Sequence, residues 1–401
     1  MGMGANRHCD GCTRGHVRIM DRKDVRVARL RDFLVVDPSN TELACELADA
    51  LFEQGRHADA EAALGALPDE VAAAAGVRYR LARAALASGR YAVAEGRYRD
   101  LIDAGHDSVG LWHDLAFSQL CQHHVAEAMG CVDAATMRHG NTVDLAILKA
   151  RIALMQDDYA AALASLADAL EMSPDDSTAL GVRALALFDS GEHELADIAA
   201  RECLQRNPEQ HEALLVAGTL ALWRQDLDEA QSLFEQALAQ HANSGRALSG
   251  YGQVWMLRND LARAQAVLES AVRAMPDHIG TWHALAWSQL LQGNLVGAES
   301  SYQSAYALDR NFGDTHGGLA LVAALMGDYA TADEAIKRAL RLDPDAFTAH
   351  YAQSLVTEGR GDAERSQEML ANLLQAGNIA TQMPVRDFAG RLKSILKAQQ
   401  R

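Results

Sequence analysis

Five of the seven prolines in this chain keep one spacing: the step from Pro174 to Pro208 is taken twice more to reach Pro276 and twice again to reach Pro344, and Pro38 precedes Pro174 by four such steps. A chain that holds one phase from residue 38 to residue 344 is built by repetition. The step, about 34 residues, is long enough for one helical hairpin and too short for an independent domain. Counted from Thr41, ten such intervals fill residues 41–380, leaving 1–40 before them and 381–401 after.

The same chemistry recurs at fixed offsets. The twentieth residue of each interval is Ala60, Ala94, Ala128, Ala162, Ala196, Ala230, Ala264, Ala298, Ala332 and Ser366; the eighth is Ala48, Ala82, Ala116, Ala150, Ala184, Gly218, Gly252, Ala286, Ala320 and Ser354. Two helices crossing at about 8–10 Å leave no room for a branched side chain at their contact point, so these offsets mark where a helical pair touches. Composition agrees: 49% of the residues are hydrophobic but only 5% aromatic. That is alanine- and leucine-rich, helix-forming material with enough apolar content to exclude a disordered chain.

Boundaries keep the phase too. Gly55, Gly89, Gly191, Gly293, Gly327 and Gly361 occupy the fifteenth position, with Asn259 there once, as a left-handed residue ending a first helix requires. Asp158, Asp226, Asp260, Asn294, Asp328 and Asp362 follow, each able to cap a second helix. The prolines near the thirty-second position stop that second helix.

This pattern resembles the tetratricopeptide repeat, a helical hairpin of about 34 residues with small side chains at positions eight and twenty and proline near thirty-two. Trp112 and Trp282 fall on the family's fourth-position aromatic, Leu47, Leu81, Leu115, Leu285 and Leu319 on its seventh-position leucine, and Tyr98, Phe234 and Tyr302 on its twenty-fourth-position aromatic. HEAT and armadillo units have longer periods. The resemblance implies an all-α, right-handed superhelical solenoid of about ten repeats over residues 41–380. A flexible leader over 1–16, a capping helix within 17–40 and a second capping helix within 381–401 are expected to flank it. Val27, Leu30, Phe33 and Leu34 form the apolar stripe of the first cap, and Val385, Phe388, Leu392, Ile395 and Leu396 that of the second.

Function in the family is expected from the concave face, which the resemblance assigns to first-helix positions two, five, nine, twelve and thirteen. In the early repeats those offsets give Tyr79, Arg83, His113, Phe117, Arg151 and Met155, with Arg80 and Lys149 nearby. In the middle and later repeats they give Leu185, Leu215, Leu222, Trp223, Met256, Leu257, Trp287, Leu290, Leu321, Leu325 and Tyr351. The groove is thus expected to be basic and aromatic first and mostly apolar afterwards. Arg83 and Arg151 suit a carboxylate, because guanidinium binds planar anions bidentately, unless they pair with Asp49, Asp114 or Asp144. The apolar zone suits an amphipathic helix or extended peptide, unless a terminal segment or a second copy of the chain fills it.

A further likeness links Trp112-His113-Asp114-Leu115-Ala116-Phe117-Ser118-Gln119-Leu120 to Trp282-His283-Ala284-Leu285-Ala286-Trp287-Ser288-Gln289-Leu290, five intervals later. Either a five-repeat duplication produced it, or His113 and His283 bind the same type of group twice.

Other chemistries find little support. The net charge is −17, although residues 1–31 and 386–401 are both basic, so the acidic body between them argues against bulk nucleic-acid binding. No segment reads as a signal peptide or membrane span, and six scattered cysteines make no disulfide framework, so a cytoplasmic location is expected. Phosphate-cradling glycine loops, His-Glu-x-x-His and Gly-x-Ser-x-Gly are absent, so neither an enzyme nor a cofactor is expected. Cys9, Cys12 and His16 have spacing that suits zinc, but no second ligand pair follows. The expected function is that of a non-enzymatic adaptor holding a partner's peptide or helix. The family resemblance points first to a bacterial secretion, export or biofilm assembly. The alternatives are a regulator whose curvature changes when a peptide signal binds, and metal-dependent assembly through the leader.

Overall fold

The structure, a computed structural model, describes residues 22–375, and all 22 regular elements among them are helices. The leader with Cys9, Cys12 and His16 and the helix expected within 381–401 lie outside the described residues. The chain forms two compact units, divided between Gln156 and Asp157. The first holds α1 (Arg22–Val36), α2 (Thr41–Phe52), α3 (His57–Gly65), α4 (Asp69–Ala72), α5 (Ala75–Ala87), α6 (Tyr91–Asp103), α7 (Val109–Leu120), α8 (Val125–His139) and α9 (Val143–Leu154). The second opens with α10 (Tyr159–Met172), α11 (Ser177–Asp189), α12 (His193–Arg206), α13 (His211–Trp223), α14 (Leu227–Gln240), α15 (Gly245–Leu257) and α16 (Leu261–Ala274). It continues through α17 (Ile279–Leu291), α18 (Leu295–Leu308), α19 (Gly313–Leu325), α20 (Tyr329–Leu342), α21 (Phe347–Gly359) and α22 (Ala363–Gln375).

Helix starts keep the sequence period. From Thr41 to Phe347 the first helix of each hairpin begins one full interval after the previous one, with no insertion or deletion. Asn40, Ser108, Thr142 and Asp176 cap such helices, their side chains accepting from the amides of Leu43, Leu111, Leu145 and Ala179. The second helices begin on Asp158, Asp226, Asp260, Asn294, Asp328 and Asp362, whose side chains accept from the amide three residues on. Between the two helices every fifteenth position has positive φ. That holds for the glycines and also for His123 (61°), Asp157 (56°), Gln225 (62°) and Asn259 (63°). The hairpin therefore imposes the left-handed turn even where the residue does not favour it.

At the contact points, the nine alanines at position twenty and the seven at position eight are all 0% exposed. Gly252 shows how tight the crossing is: a Cβ there would stand 2.6 Å from Leu268 Cγ. Leucines at position seven, such as Leu47, Leu115 and Leu285, are buried beside them.

The twenty-fourth-position aromatics insert from one hairpin toward the next and need space there. Phe234 takes the place a Cβ of Gly250 would fill, 2.2 Å from Cζ, and Tyr302 does the same at Gly318, 2.2 Å from Cε1. Tyr98 instead meets Asp114, to which its hydroxyl donates at 3.3 Å. Tyr302 Oη is buried with no hydrogen-bond partner among the described residues.

Two departures from the regular pattern occur near the start. The second helix of the first hairpin is not continuous: α3 stops at Gly65, and α4 restarts after Pro68, which cannot donate to a preceding turn. In α1, Val27 and Leu30 are buried against the first hairpin, but Phe33, expected on the same stripe, is 47% exposed with Arg29 Cζ 5.2 Å from its ring centroid.

This packing makes two substitutions informative. Gln225→Gly relieves a left-handed non-glycine residue and is expected to add about 0.5–1 kcal/mol, read as a higher urea midpoint; a lower midpoint would contradict the turn assignment. Tyr98→Phe is expected to cost about 1 kcal/mol, whereas Tyr302→Phe, which removes an unpaired buried hydroxyl, is expected to be neutral or stabilising in the same assay.

Candidate functional site

In the second unit the first helices α11, α13, α15, α17, α19 and α21 each touch the next, so side chains at equivalent offsets line one continuous face. That face holds a cavity of about 690 Å³. Its aromatic walls come from Phe188 and Trp223 at one end and from Trp287 and Phe347 further along. Phe188 and Trp223 pack with ring centroids 5.1 Å apart, and His193 meets the Trp223 ring edge-on at 4.9 Å.

The charged side chains of the cavity are mainly acidic. Asp189, Asp314, Asp343 and Asp345 line it, and Arg246 is the only lysine or arginine lining it among the described residues. Arg246 is already matched: its two terminal nitrogens donate to the two carboxylate oxygens of Asp189 at 2.9 and 3.1 Å. Asp314 accepts from Thr348 Oγ1 at 3.2 Å. Burial, reinforced by the nearby Asp343 carboxylate, raises the pKa of Asp314 above the ordinary aspartate value. Burial likewise lowers His278, with Arg246 adding to the effect, and pushes His283 down to about 4. At neutral pH neither imidazole carries a charge that would offset the carboxylates.

These findings correct the expected groove in two respects. Met256 and Leu321 are 0% exposed and belong to the hydrophobic core, so neither faces the cavity. Leu321 occupies the same offset as Trp287, but its shorter side chain ends inside the core beside Tyr351, while the indole reaches the cavity. Leu215, Leu290 and Tyr351 are buried as well, and Leu185, Leu257 and Leu325 are half-buried against the core. The zone keeps its mostly apolar lining, with aspartates along it that the expected groove did not include. The residues that sequence reasoning missed were within its reach: Arg246 and Asp314 stand at position two and Asp189 at position thirteen, offsets already assigned to the groove. Asp343 and Asp345 come from the turn between α20 and α21, where no groove offset falls.

The first unit brings Tyr79, His113 and Asp114 together. Tyr79 Oη donates to Asp114 Oδ2 at 2.7 Å, and His113 Nδ1 lies 3.0 Å from Asp114 Oδ1. Burial, then the Asp114 charge, raises the Tyr79 pKa above the ordinary phenol value. The His113 ring stacks on Phe117 with centroids 6.4 Å apart. Arg83 is exposed, with Cζ 4.9 Å from the Phe52 ring centroid. Its neighbour Arg80 is paired with Asp49 through contacts of 2.9 and 2.5 Å, so part of the expected basic character is neutralised within the chain. Arg151 is half-buried and Met155 is 40% exposed.

His113 and His283 do not repeat one another chemically. His113 has a carboxylate beside it, whereas His283 Nε2 lies 2.9 Å from Thr315 Oγ1 and its ring packs against Tyr302 and Phe312. Asp114 in one copy and Ala284 in the other account for part of the difference.

Sequence models of the tetratricopeptide repeat match residues 21–75, 147–211, 221–287 and 318–377, together more than half of the chain. None of the curated proteins matches it significantly. Among solved structures, the human IFIT1 dimer with PPP-AAAA is 16% identical with a TM-score of 0.51, over 89% of this chain and 95% of that one. The APC/C hetero-tetramer Cut9–Hcn1 is 16% identical with a TM-score of 0.48, over 89% and 87% of the two chains. YrrB, described as a TPR protein with an unusual peptide-binding site, is 21% identical with a TM-score of 0.37, over 47% and 97%. The likeness to the IFIT1 structure is one of fold alone. No helix among the described residues is long and apolar enough to cross a membrane. Proteins built of such repeats generally mediate protein–protein interaction, and the repeat frame is generally not catalytic. By its period, its helical hairpins and the matching sequence models, this chain belongs to the tetratricopeptide repeat family.

Proposed function

We propose that the protein is a non-enzymatic adaptor that holds a peptide or helix of a partner protein in the cavity of its second unit, with Trp223 and Trp287 as the main contact side chains. The observation that carries this reading is the cavity itself. It measures about 690 Å³ and is walled by aromatic rings supplied by first helices. Aromatic side chains in a concave site are where binding energy concentrates, because they bury large area at little entropic cost. Met256 and Leu321 are not part of the site, since both are committed to the core.

The full-length chain is expected to recover a specific partner in affinity purification with cross-linking. Trp223→Ala and Trp287→Ala are each expected to weaken that recovery about tenfold or more, with the helical signal in circular dichroism retained. Unchanged recovery by both variants would sink the proposal.

A further inference from the structure

We propose that the segment held in the second unit's cavity is basic: a stretch of a partner protein that places arginine or lysine side chains against Asp314, Asp343 and Asp345. This rests on the groove reading above and adds the chemical class of its occupant.

Charge complementarity carries the argument. Among the described residues four carboxylates share the cavity with a single arginine, and that arginine is committed to Asp189 in a bidentate pair. Among the described residues no lysine or arginine lies within ion-pair distance of Asp314, Asp343 or Asp345. Asp314 is half-buried; that burial and the neighbouring Asp343 disfavour its anion against the Thr348 hydrogen bond that favours it, and a cation placed here would relieve the repulsion between the two carboxylates. An acidic occupant would add to the repulsion, and a purely apolar one would bury these carboxylates unpaired.

The arrangement of the acids distinguishes a basic segment from a metal ion. Among the described residues no group of three or more His, Cys, Asp or Glu side chains is placed to hold a metal. Asp314 stands at the start of α19, and Asp343 and Asp345 lie in the turn before α21. Carboxylates contributed by two elements suit cations carried on side chains of a chain laid along the cavity. Tryptophan walls add to that preference, because guanidinium and ammonium groups are attracted to the indole face.

The test is fluorescence anisotropy on the full chain with two pools of labelled amphipathic peptides, alike in their apolar residues and carrying arginine in one pool and glutamate in the other. The arginine pool is expected to bind about tenfold or more tightly, and to weaken as salt is raised. Asp343→Asn combined with Asp345→Asn is expected to reduce that binding about five- to tenfold without altering the melting curve, since neither side chain is in the core. Equal binding of the glutamate pool, lost on Trp287→Ala, would overturn the charge assignment and leave the groove reading standing. Binding of neither pool would overturn the proposal, and the tryptophan variants in affinity purification would then decide the groove reading separately. If arginine peptides bind only after Arg386, Arg391, Lys393 and Lys397 are changed to Gln, the occupant is the chain's own C-terminal segment and a partner is overturned. Self-association that the arginine pool displaces assigns the cavity to a second copy, with the same consequence.

Discussion

The contact between a small residue at position eight and another at position twenty sets the distance between the two helices of each hairpin, and the other packing choices follow from that distance. At alanine spacing the backbones approach closely enough that the leucines at position seven fill the remaining volume. Little space is left over: at Gly252 even a methyl group would press on Leu268. The same shortage of space decides where aromatic residues sit. Phe234 and Tyr302 are fully buried at position twenty-four because Gly250 and Gly318 in the following hairpin leave room for their rings. Tyr98 lacks that glycine and meets a carboxylate instead.

Because each hairpin is packed mainly against its neighbours, a local defect stays local. Pro68 breaks the second helix of the first hairpin into α3 and α4, yet α5 begins one full interval after α2, in phase with all later hairpins. The left-handed turns make the same point. Gln225 and His123 adopt a conformation that glycine would take more readily, because closure of the two helices fixes the turn geometry and the residue accommodates it.

This separation between frame and surface explains what the sequence discloses. Hairpin positions were legible because they rest on sterics that recur at every interval: alanine at the crossing, glycine or asparagine at the turn, aspartate at the cap. The break at Pro68 was written in the sequence as well, beside Gly65, but an unbroken period hid it. The groove was only half legible. Offsets alone identified Trp223 and Trp287, but they said nothing of how far a side chain reaches, so Leu321 was assigned to a surface that only the longer indole attains. Offsets also omit charge pairing. Arg80 looks available in the sequence, yet Asp49, 31 positions earlier, lies against it. The acids of the second unit stand partly at known offsets, but nothing in the period separates a carboxylate paired within the frame from one left facing the cavity.

The comparison of His113 with His283 shows how such a frame acquires different chemistry without changing its fold. Both stand at position five, within a nine-residue match repeated five intervals apart. In the first unit the next residue is Asp114, which gathers Tyr79, Tyr98 and His113 into a hydrogen-bonded group and consumes its own charge there. In the second the next residue is Ala284, so no carboxylate reaches His283, and burial keeps the imidazole neutral. Acidic charge enters that unit from position two and from the α20–α21 turn, where it borders the cavity and has no lysine or arginine paired with it among the described residues. The exchange at position six thus decides whether the histidine before it has a carboxylate beside it. Since position six also receives the aromatic of the preceding hairpin, as Gly250 and Gly318 do, the choice made there for packing also sets the surroundings of the histidine at position five.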